Sequence, residues 1–573
     1  MLDLRLYRVT LLPFAIGLIV VAFSLHPRPS ALPTPLPPQT FDALGAAKAV
    51  PALAKAGSDP GSTADDALAR SIEANFADAA FPSVRLATAG VETTAGMRTI
   101  DTVIATRAGT GPAIALIADR GQGAATATLL GLATIYGHLV PHHPLILVST
   151  AGGASGMAAA ASDLPPGIEA AIVIGAPATT GRNATVAVLP WSTAGAIAPS
   201  SLRATVAAAM TATLGVRAVA GPTLTDQLAR LALPVTTGEQ GPLEAAGIPA
   251  VAVTADGESA SQSSSAVPTA ASIAGYGQGL MTAVAALDNG PALPVAPVRD
   301  LSVGSQILDG WGVRLVSGLL VLSLLACCLD VLARARRRRA QIASAIRWVL
   351  SLAVPFALAG LFTIFLGLTA LLPTAPAVPV TSAQLGVGGT GAAALVSIAL
   401  LFVLAWALRA AVRERTGAAR PAEPVGGAAA LLAIGSVLAF VVWLGNPYTA
   451  LLVIVPLHVW LVALTREAGR SRLAGAAVLI LSLAVPLAAV ALICAGLGIS
   501  PFGLLWTMVL LAAGGGLSLG GLLIAAVAAA CVLAAAVLLV LAGRTEPLEV
   551  SVRGSLGYAG PGSLRGTQSA LRR

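Results

Sequence analysis

The sequence predicts a two-part protein, an α/β domain followed by an all-α polytopic membrane domain. Of its 573 residues, 56% are hydrophobic and only 10% are charged. The mean hydropathy is +0.84, a balance typical of integral membrane proteins. Polar and apolar segments alternate over residues 26–310, whereas residues 311–543 are almost continuously apolar. The chain is long enough to hold a complete soluble domain beside a helical membrane domain.

The α/β part is organised around a strand, a helix and a second strand. The apolar runs Ile114–Ala118 and Leu145–Thr150 are short and bounded by glycine or proline, which favours buried strands. Between them, Ala125–Tyr136 has apolar residues at helical spacing and ends at Gly137. This order predicts a crossover unit of a mixed, mostly parallel sheet. Ligands of such sheets bind beyond the carboxyl ends of the strands.

The same patterns predict the remaining elements and the domain boundaries. Further predicted strands are Thr102–Thr106, Ala170–Ile174, Thr185–Leu189 and Ala250–Thr254, and further helices are Ala64–Phe76, Ser201–Leu214 and Ala270–Leu287. The predicted divisions are a cytoplasmic N-terminus (1–10), a signal-anchor helix (11–25), a proline-rich linker (26–40), the α/β domain (41–288), a second linker (289–311), a seven-span membrane domain (312–543) and a cytoplasmic tail (544–573).

The membrane part contains seven apolar segments, and the length of each is close to the roughly 20 residues that a membrane span needs. These segments are 312–333, 347–372, 390–411, 426–444, 447–465, 473–497 and 518–542. Residues 502–513 are too short to cross, so we expect an interfacial or re-entrant helix there. Arginines cluster in alternate loops, which by the positive-inside rule places both termini in the cytoplasm and the α/β domain outside.

The charge distribution excludes one class of partner. Residues 26–310 hold 13 Lys and Arg against 19 Asp and Glu, a formal charge of −6, so the basic excess lies at the membrane ends. An acidic soluble part argues against nucleic-acid binding. Because Lys48 and Lys55 are the only lysines in a chain rich in Ala and Gly, we expect a bacterial protein of the plasma membrane. His458 is the only titratable group near mid-membrane, which argues against an ion-coupled transporter.

Several segments together carry a resemblance to a known family. They are Pro60-Gly61-Ser62, the double Asp of the next helix, the strand–helix–strand unit and Gly247-Ile248-Pro249-Ala250-Val251. In this order they resemble the M28 (aminopeptidase-like) zinc peptidase family over roughly residues 45–288. The resemblance implies a zinc-exopeptidase-like fold.

The positions that the family uses for two zinc ions are changed in this chain. The His-x-Asp position holds Asp119-Arg120-Gly121, and the bridging Asp is replaced by Ala125 or Thr126. The Glu-Glu pair falls at Gly153-Ala154, and the next acidic ligand falls near Ile174-Gly175. The late loop, Gly257–Val267, has no histidine. Two zinc ions need imidazoles and carboxylates that converge, so we expect no metal and no other cofactor.

We expect the polar side chains that remain at the strand ends to form a remnant binding cleft, although ordinary loop polarity would give the same pattern. These residues are Asp119, Arg120, Glu239, Gln240 and Glu258.

Three other patterns suggest chemistry only weakly. His138, His142 and His143 are separated by Pro141 and follow Gly137, so they cannot share a helical face. Ser155 follows a strand and resembles a nucleophile elbow, but the only later histidine is His458. Gly121-x-Gly123-x-x-Thr126 lacks the third small residue of a dinucleotide loop.

One anchor, a large outer domain and seven spans also resemble the layout of the peptidase-like subunit of the glycosylphosphatidylinositol transamidase. That resemblance implies binding or scaffolding without hydrolysis. We therefore expect a membrane-anchored pseudopeptidase that binds a peptide, an envelope component or a membrane or envelope protein partner. The alternative is an active hydrolase, with a metal held by unrecognised ligands or with Ser155 as nucleophile.

Overall fold

The fold is that of a computed structural model. It describes residues 4–36, 39–177, 186–214, 222–255, 257–258, 268–372, 376–416, 424–465 and 472–541. The predicted α/β domain with a mixed sheet and the predicted helical domain are both confirmed.

The α/β domain is built on one seven-stranded sheet. The strands of the chain are β1 (His26–Pro27), β2 (Ser83–Thr93), β3 (Gly96–Arg107), β4 (Ala113–Asp119), β5 (Leu145–Thr150), β6 (Ile168–Ile174), β7 (Val186–Leu189), β8 (Ala250–Ala255), β9 (Leu301–Val303) and β10 (Gln306–Leu308). The large sheet has the order β2-β3-β5-β4-β6-β8-β7. Its four central strands are parallel and its outer pairings are antiparallel, so parallel pairing is confined to the middle.

Helices cover both faces of this sheet. The helices outside the membrane region are α3 (Ala43–Ala56), α4 (Thr63–Asp78), α5 (Gly123–Tyr136), α6 (Gly153–Ala160), α7 (Ser200–Leu214), α8 (Leu224–Ala232), α9 (Gln240–Ala245) and α10 (Ala270–Asp288). One hydrophobic core joins one face of the sheet to α3, α4, α5, α7 and α10. A second core joins the other face to α6 and α9. Consecutive residues of β4 alternate between the two cores because side chains in a strand alternate between faces.

The two predicted linkers are more ordered than the sequence suggested. Within them lie β1, β9 and β10, which pair into a separate three-stranded antiparallel sheet. Val298 also bridges to Ile197 of the α/β domain. The two segments by which the chain enters and leaves the domain are therefore hydrogen-bonded to each other. The short strands were not predicted because both segments are rich in proline, which favours a linker.

The remaining helices are apolar. They are α1 (Leu4–Thr10), α2 (Leu12–Phe23), α11 (Gly310–Arg337), α12 (Ile342–Leu368), α13 (Gly389–Thr416), α14 (Pro424–Gly445), α15 (Pro447–Thr465), α16 (Arg472–Leu497), α17 (Pro501–Ala513) and α18 (Leu519–Ala536), which a π-helical turn extends to Leu541. Among the described residues, eight helical segments are long and apolar enough to cross a membrane, and they coincide with the eight predicted spans. Helix α17 is shorter, and its Trp506 is buried against the α12–α13 side of the bundle.

The α/β domain packs directly on the membrane helices. Asn446 Nδ2 donates to Leu231 O at 2.8 Å, and Thr449 Oγ1 donates to Ala232 O at 2.6 Å. Both acceptors end α8, so this helix is fixed on the first turn of α15. The predicted tail, 544–573, lies outside the described residues.

Candidate functional site

The candidate site lies where the parallel strands β4 and β5 end. Asp119 and Thr150 are paired neighbours at these ends. The following residues Gly152 and Gly153 both have positive φ, +84° and +59°, a conformation that glycine adopts without strain. This turn brings the start of α6 next to Asp119, since a Cβ added to Gly153 would lie 3.8 Å from Asp119 Oδ2. The sequence therefore places a carboxylate beside a sharp turn at the edge expected for ligand binding.

Asp119 is buried and held by backbone groups. The N–H of Gly121 donates to its Oδ1 at 3.0 Å, and Gly153 also donates a backbone hydrogen bond. Burial is the main influence and raises the pKa of Asp119 to about 6, against the lowering effect of these bonds and of the Arg120 charge. A carboxyl group of this kind exchanges its proton near neutral pH.

Arg120 does not line a cleft, contrary to the expectation from sequence. Its side chain is fully buried, with Nε 2.6 Å from Asp65 Oδ1 and Nη2 3.1 Å from Asp65 Oδ2. It also donates to Ser149 O at 3.1 Å and to Asp101 O at 2.6 Å. The guanidinium thus ties α4 to strands β3 and β5 on the face of the sheet opposite Asp119. We assign it to holding the fold.

Glu239 and Gln240 lie at the start of α9, on the same face of the sheet as Asp119. Burial raises the pKa of Glu239 well above its ordinary value, and the charge of Asp119 raises it further. Glu239 Oε2 and Gln240 Oε1 are buried and have no hydrogen-bond partner among the described residues. Gln122 Oε1 and Thr150 Oγ1, at the ends of the neighbouring strands, share this property. Unsatisfied buried polar atoms are rare and call for an explanation.

We call this group, Asp119, Gln122, Thr150, Glu239 and Gln240, the strand-end site. When ionised, Asp119 and Glu239 can only accept hydrogen bonds. The unpaired atoms of Gln122 and Gln240 are side-chain carbonyl oxygens, which also accept. The site therefore suits a group that presents N–H or O–H donors. The sequence identified Asp119, Glu239 and Gln240 in advance. It did not single out Gln122 or Thr150, although Thr150 ends a predicted strand and Gln122 lies in the turn after another.

Glu258 is also buried, but it is already bonded. Arg230 Nη2 donates to Glu258 Oε2 at 2.6 Å, and Thr236 Oγ1 donates to Glu258 Oε1. Gln240 Nε2 donates to Thr236 Oγ1 at 3.0 Å. The Arg230 guanidinium lies 5.6 Å from the centre of the Trp191 ring, within cation–π range. These bonds form a continuous chain from Gln240 of the strand-end site to Arg230.

That chain ends at the membrane domain. A Cβ added to Gly496 of α16 would lie 2.7 Å from Arg230 Nη2, so the two elements touch. Beside this contact is a pocket of about 540 Å³ lined by Trp191, Arg230 and Glu258 together with Leu492 of α16. Glu258 thus belongs to the junction between the domains rather than to the strand-end site itself. Sequence reasoning missed Arg230, because only the fold brings it to Glu258.

The donor set does not fit a pair of zinc ions. Asp119 and Glu239 supply carboxylate oxygens, but the positions matching the other ligands hold buried Ala125 or Thr126, Gly153-Ala154 and Ile174-Gly175. Within the described ranges, no three His, Cys, Asp or Glu side chains are grouped to hold a metal. Most of the late loop, residues 259–267, lies outside those ranges.

None of the other sequence candidates completes a catalytic group with the strand-end site in the described residues. His142 and His143 contact Asp288, and His143 Nδ1 also lies 3.1 Å from Glu169, at the opposite end of β5. Ser155 is nearly buried in α6. His458 is hydrogen-bonded to Tyr7 at 3.2 Å within the membrane region, so it cannot serve Ser155.

Comparison with known proteins gives likenesses of fold only. No protein-family model and no curated protein matches the chain. The solved structures similar to it include a glutaminyl cyclase of Bacteroides thetaiotaomicron bound to N-acetylhistamine (12% identity, TM-score 0.36), which covers 44% of this chain and 99% of that one. A leucine aminopeptidase precursor of the same species is also similar (12% identity, TM-score 0.36, 46% of this chain and 100% of that one).

A third similar structure is a zinc-dependent exopeptidase of Parabacteroides distasonis. It is 13% identical, with a TM-score of 0.35, and covers 44% of this chain and 99% of that one. At these values the likeness concerns the fold of the α/β domain, and no activity is carried over from it.

Proposed function

We propose that the α/β domain is a pseudopeptidase, a binding domain that holds a peptide or a peptide-bearing envelope component without zinc catalysis. The observation that supports the proposal is the strand-end site, which holds buried carboxyls and unpaired acceptor atoms but, among the described residues, no group of three side chains that could hold a metal. We further propose that the domain faces the outside of a bacterial plasma membrane, on a base of eight spans.

The acceptors favour a ligand rich in donors. A peptide offers backbone N–H groups and, at its N-terminus, an ammonium that pairs with a carboxylate. Glu239 Oε2 and Gln240 Oε1 are aimed at no other described group. A nucleotide or another anionic ligand would instead meet the carboxyls of Asp119 and Glu239.

A peptide-retention experiment tests this proposal. The immobilised full-length protein, in detergent, is exposed to a pool of short peptides with free or acetylated N-termini, and the retained peptides are identified by mass spectrometry. We expect Glu239→Gln to weaken retention of peptides with a free N-terminus about tenfold or more, because the peptide ammonium would ionise Glu239 on binding and a hydrogen bond between charged groups contributes about 1.5–3 kcal/mol.

The control is Glu73→Gln, a carboxylate of α4 that bonds Arg85 at 3.2 Å on the protein surface. It should leave retention unchanged. Equal retention by the wild type and Glu239→Gln would refute binding at this site. Cleavage of the peptides that disappears in Ser155→Ala would instead establish the hydrolase.

A further inference from the structure

The membrane domain contains a large groove that the α/β domain closes from above. The groove has a volume of about 710 Å³ and lies between α14, α15, α16, α17 and α18. Its roof is the segment Ala232-Leu233-Pro234, which begins at the last residue of α8. Leu233 packs with Val235 and with Ile493 of α16, so the roof is part of a small hydrophobic cluster. We call this feature the membrane groove.

The lining of the membrane groove offers almost nothing to a polar ligand. Its few polar side chains include Asn446, Thr449 and Trp460. Asn446 and Thr449 donate to the backbone of α8, and Trp460 Nε1 donates to Ser482 Oγ at 2.8 Å. A water molecule in a cavity needs two or more polar partners, and a water-soluble substrate needs them as well. The free surface of the groove is hydrocarbon.

Small residues and prolines in the lining helices account for the volume of the membrane groove. Pro456 of α15 and Pro486 of α16 both line the groove, and proline inside a helix bends it. On α18, Ala525 and Ala528 present only methyl groups. At the upper end, a Cβ added to Gly445 of α14 would meet no atom within 4 Å. The volume arises from the sequence of the spans themselves.

The position of the groove determines what can fill it. Four of its five wall helices, α14, α15, α16 and α18, are long and apolar enough to cross a membrane, so lipids are the molecules that would reach the groove from the side. Its volume falls within the range of about 300–1,000 Å³ found for small-ligand sites. We propose that the membrane groove binds one hydrocarbon chain of a membrane lipid, with its outer end beneath the α8 roof.

The binding of a chain there would join the bilayer to the α/β domain. The roof residues separate Arg230 of α8 from Thr236, and both of these residues bond Glu258. A chain that fills the groove supports the roof from below. This inference does not depend on what the strand-end site binds.

Photocrosslinking tests the proposal on the full-length protein in lipid nanodiscs. The nanodiscs contain phosphatidylcholine and a small fraction of phosphatidylcholine with a diazirine on one acyl chain, and crosslinked residues are located by mass spectrometry. We expect crosslinks to concentrate on the groove-lining positions of α14 and α18. In Ala528→Phe, where a ring fills the groove, these crosslinks should fall about tenfold.

The matched control is Ala407→Phe, an exposed position of α13 that lies outside the groove. Ala407→Phe should change the yield of crosslinks at the groove-lining positions by less than about twofold. A second variant, Gly445→Phe, blocks the upper end in open space and should reproduce the loss even if Ala528→Phe misfolds. Crosslinks spread evenly over the outer faces of the helices, or a groove signal unchanged in Gly445→Phe, would overturn the proposal.

Discussion

Asp119 and Glu239 face each other across the ends of the parallel strands, near enough that the charge of Asp119 raises the pKa of Glu239. Among the described residues no cation pairs with either carboxyl at this site, since Arg120 faces the opposite side of the sheet and bonds Asp65. Two buried carboxyls without a counter-ion destabilise a fold at neutral pH. Such an arrangement is typical of a functional site rather than of a structural one.

The first prediction concerns pH. Both carboxyls have a raised pKa in the folded state, so the folded domain holds more protons than the unfolded chain. The contribution of Asp119 to stability is complete below its unfolded pKa of 3.8 and is lost as pH rises through about 6. Glu239 contributes in the same direction, because its folded pKa is also raised. Glu239→Gln should therefore raise the melting temperature of the full-length protein at pH 7.5 but not at pH 4.

Thermal unfolding of both proteins across this pH range, followed by near-UV circular dichroism, measures the effect. The control is again Glu73→Gln. If Glu239→Gln lowers the melting temperature at pH 7.5, then Glu239 is ionised and stabilised by a partner, and our description of the site is wrong.

The second prediction concerns the buried pair of Arg120 and Asp65. Replacing only Asp65 by Asn leaves the guanidinium buried with a neutral partner, which should destabilise the domain by about 3–5 kcal/mol. The double variant Asp65→Leu/Arg120→Met should recover part of this loss, because no unpaired charge stays buried. Denaturant unfolding of the three proteins checks it. A loss in Asp65→Asn below about 1 kcal/mol would show that the pair is solvated.

The third prediction concerns the turn after β5. A Cβ added to Gly156 would lie 1.8 Å from Ala151 O, a backbone atom that cannot move aside alone. Gly156→Ala should therefore push α6 away and destabilise the domain by about 1–3 kcal/mol. Gly445→Ala, in open space at the end of α14, should be close to neutral. Equal melting temperatures of the two variants would contradict the close packing of α6 on β5.

The fourth prediction concerns membrane orientation. All four native cysteines are buried, so single cysteines introduced at exposed sites can be labelled with little background. An impermeant maleimide added to intact spheroplasts should label Asp163→Cys of the α/β domain, but should label Arg337→Cys only after lysis. Labelling of Arg337→Cys in intact cells would reverse the proposed topology.

Periodicity predicted many of the larger elements, but not the helix α3 of 14 residues or the strand β2 of 11 residues. The strand–helix–strand unit and the eight spans lie where hydrophobic spacing placed them. Long regular elements bury one face or their whole surface, and this leaves a recognisable pattern of apolar residues in the sequence. Some shorter elements were also not predicted from the sequence. Helix α9 has six residues, too few to show a period. Helix α8 was missed although Thr223 and Asp226 form a capping box that can be recognised in sequence.

The sequence predicted only part of the site, because it could not show that two adjacent residues point to opposite faces of the sheet. Asp119 and Arg120 both follow the strand β4, and the sequence grouped them in one cleft. Side chains at successive positions point to opposite faces, so only Asp119 faces Glu239, while Arg120 meets Asp65. The contact of Arg230 with Glu258 and Gly496 depends on how the domain sits on the membrane helices. No local pattern encodes that contact.

The central claim is that the strand-end site binds without zinc, and zinc titration of the purified full-length protein tests it most directly. The protein is incubated with zinc, dialysed and analysed by inductively coupled plasma mass spectrometry, with Asp119→Asn alongside. We predict that zinc falls to trace levels in both proteins. Stoichiometric zinc retained by the wild type and lost in Asp119→Asn would contradict the account.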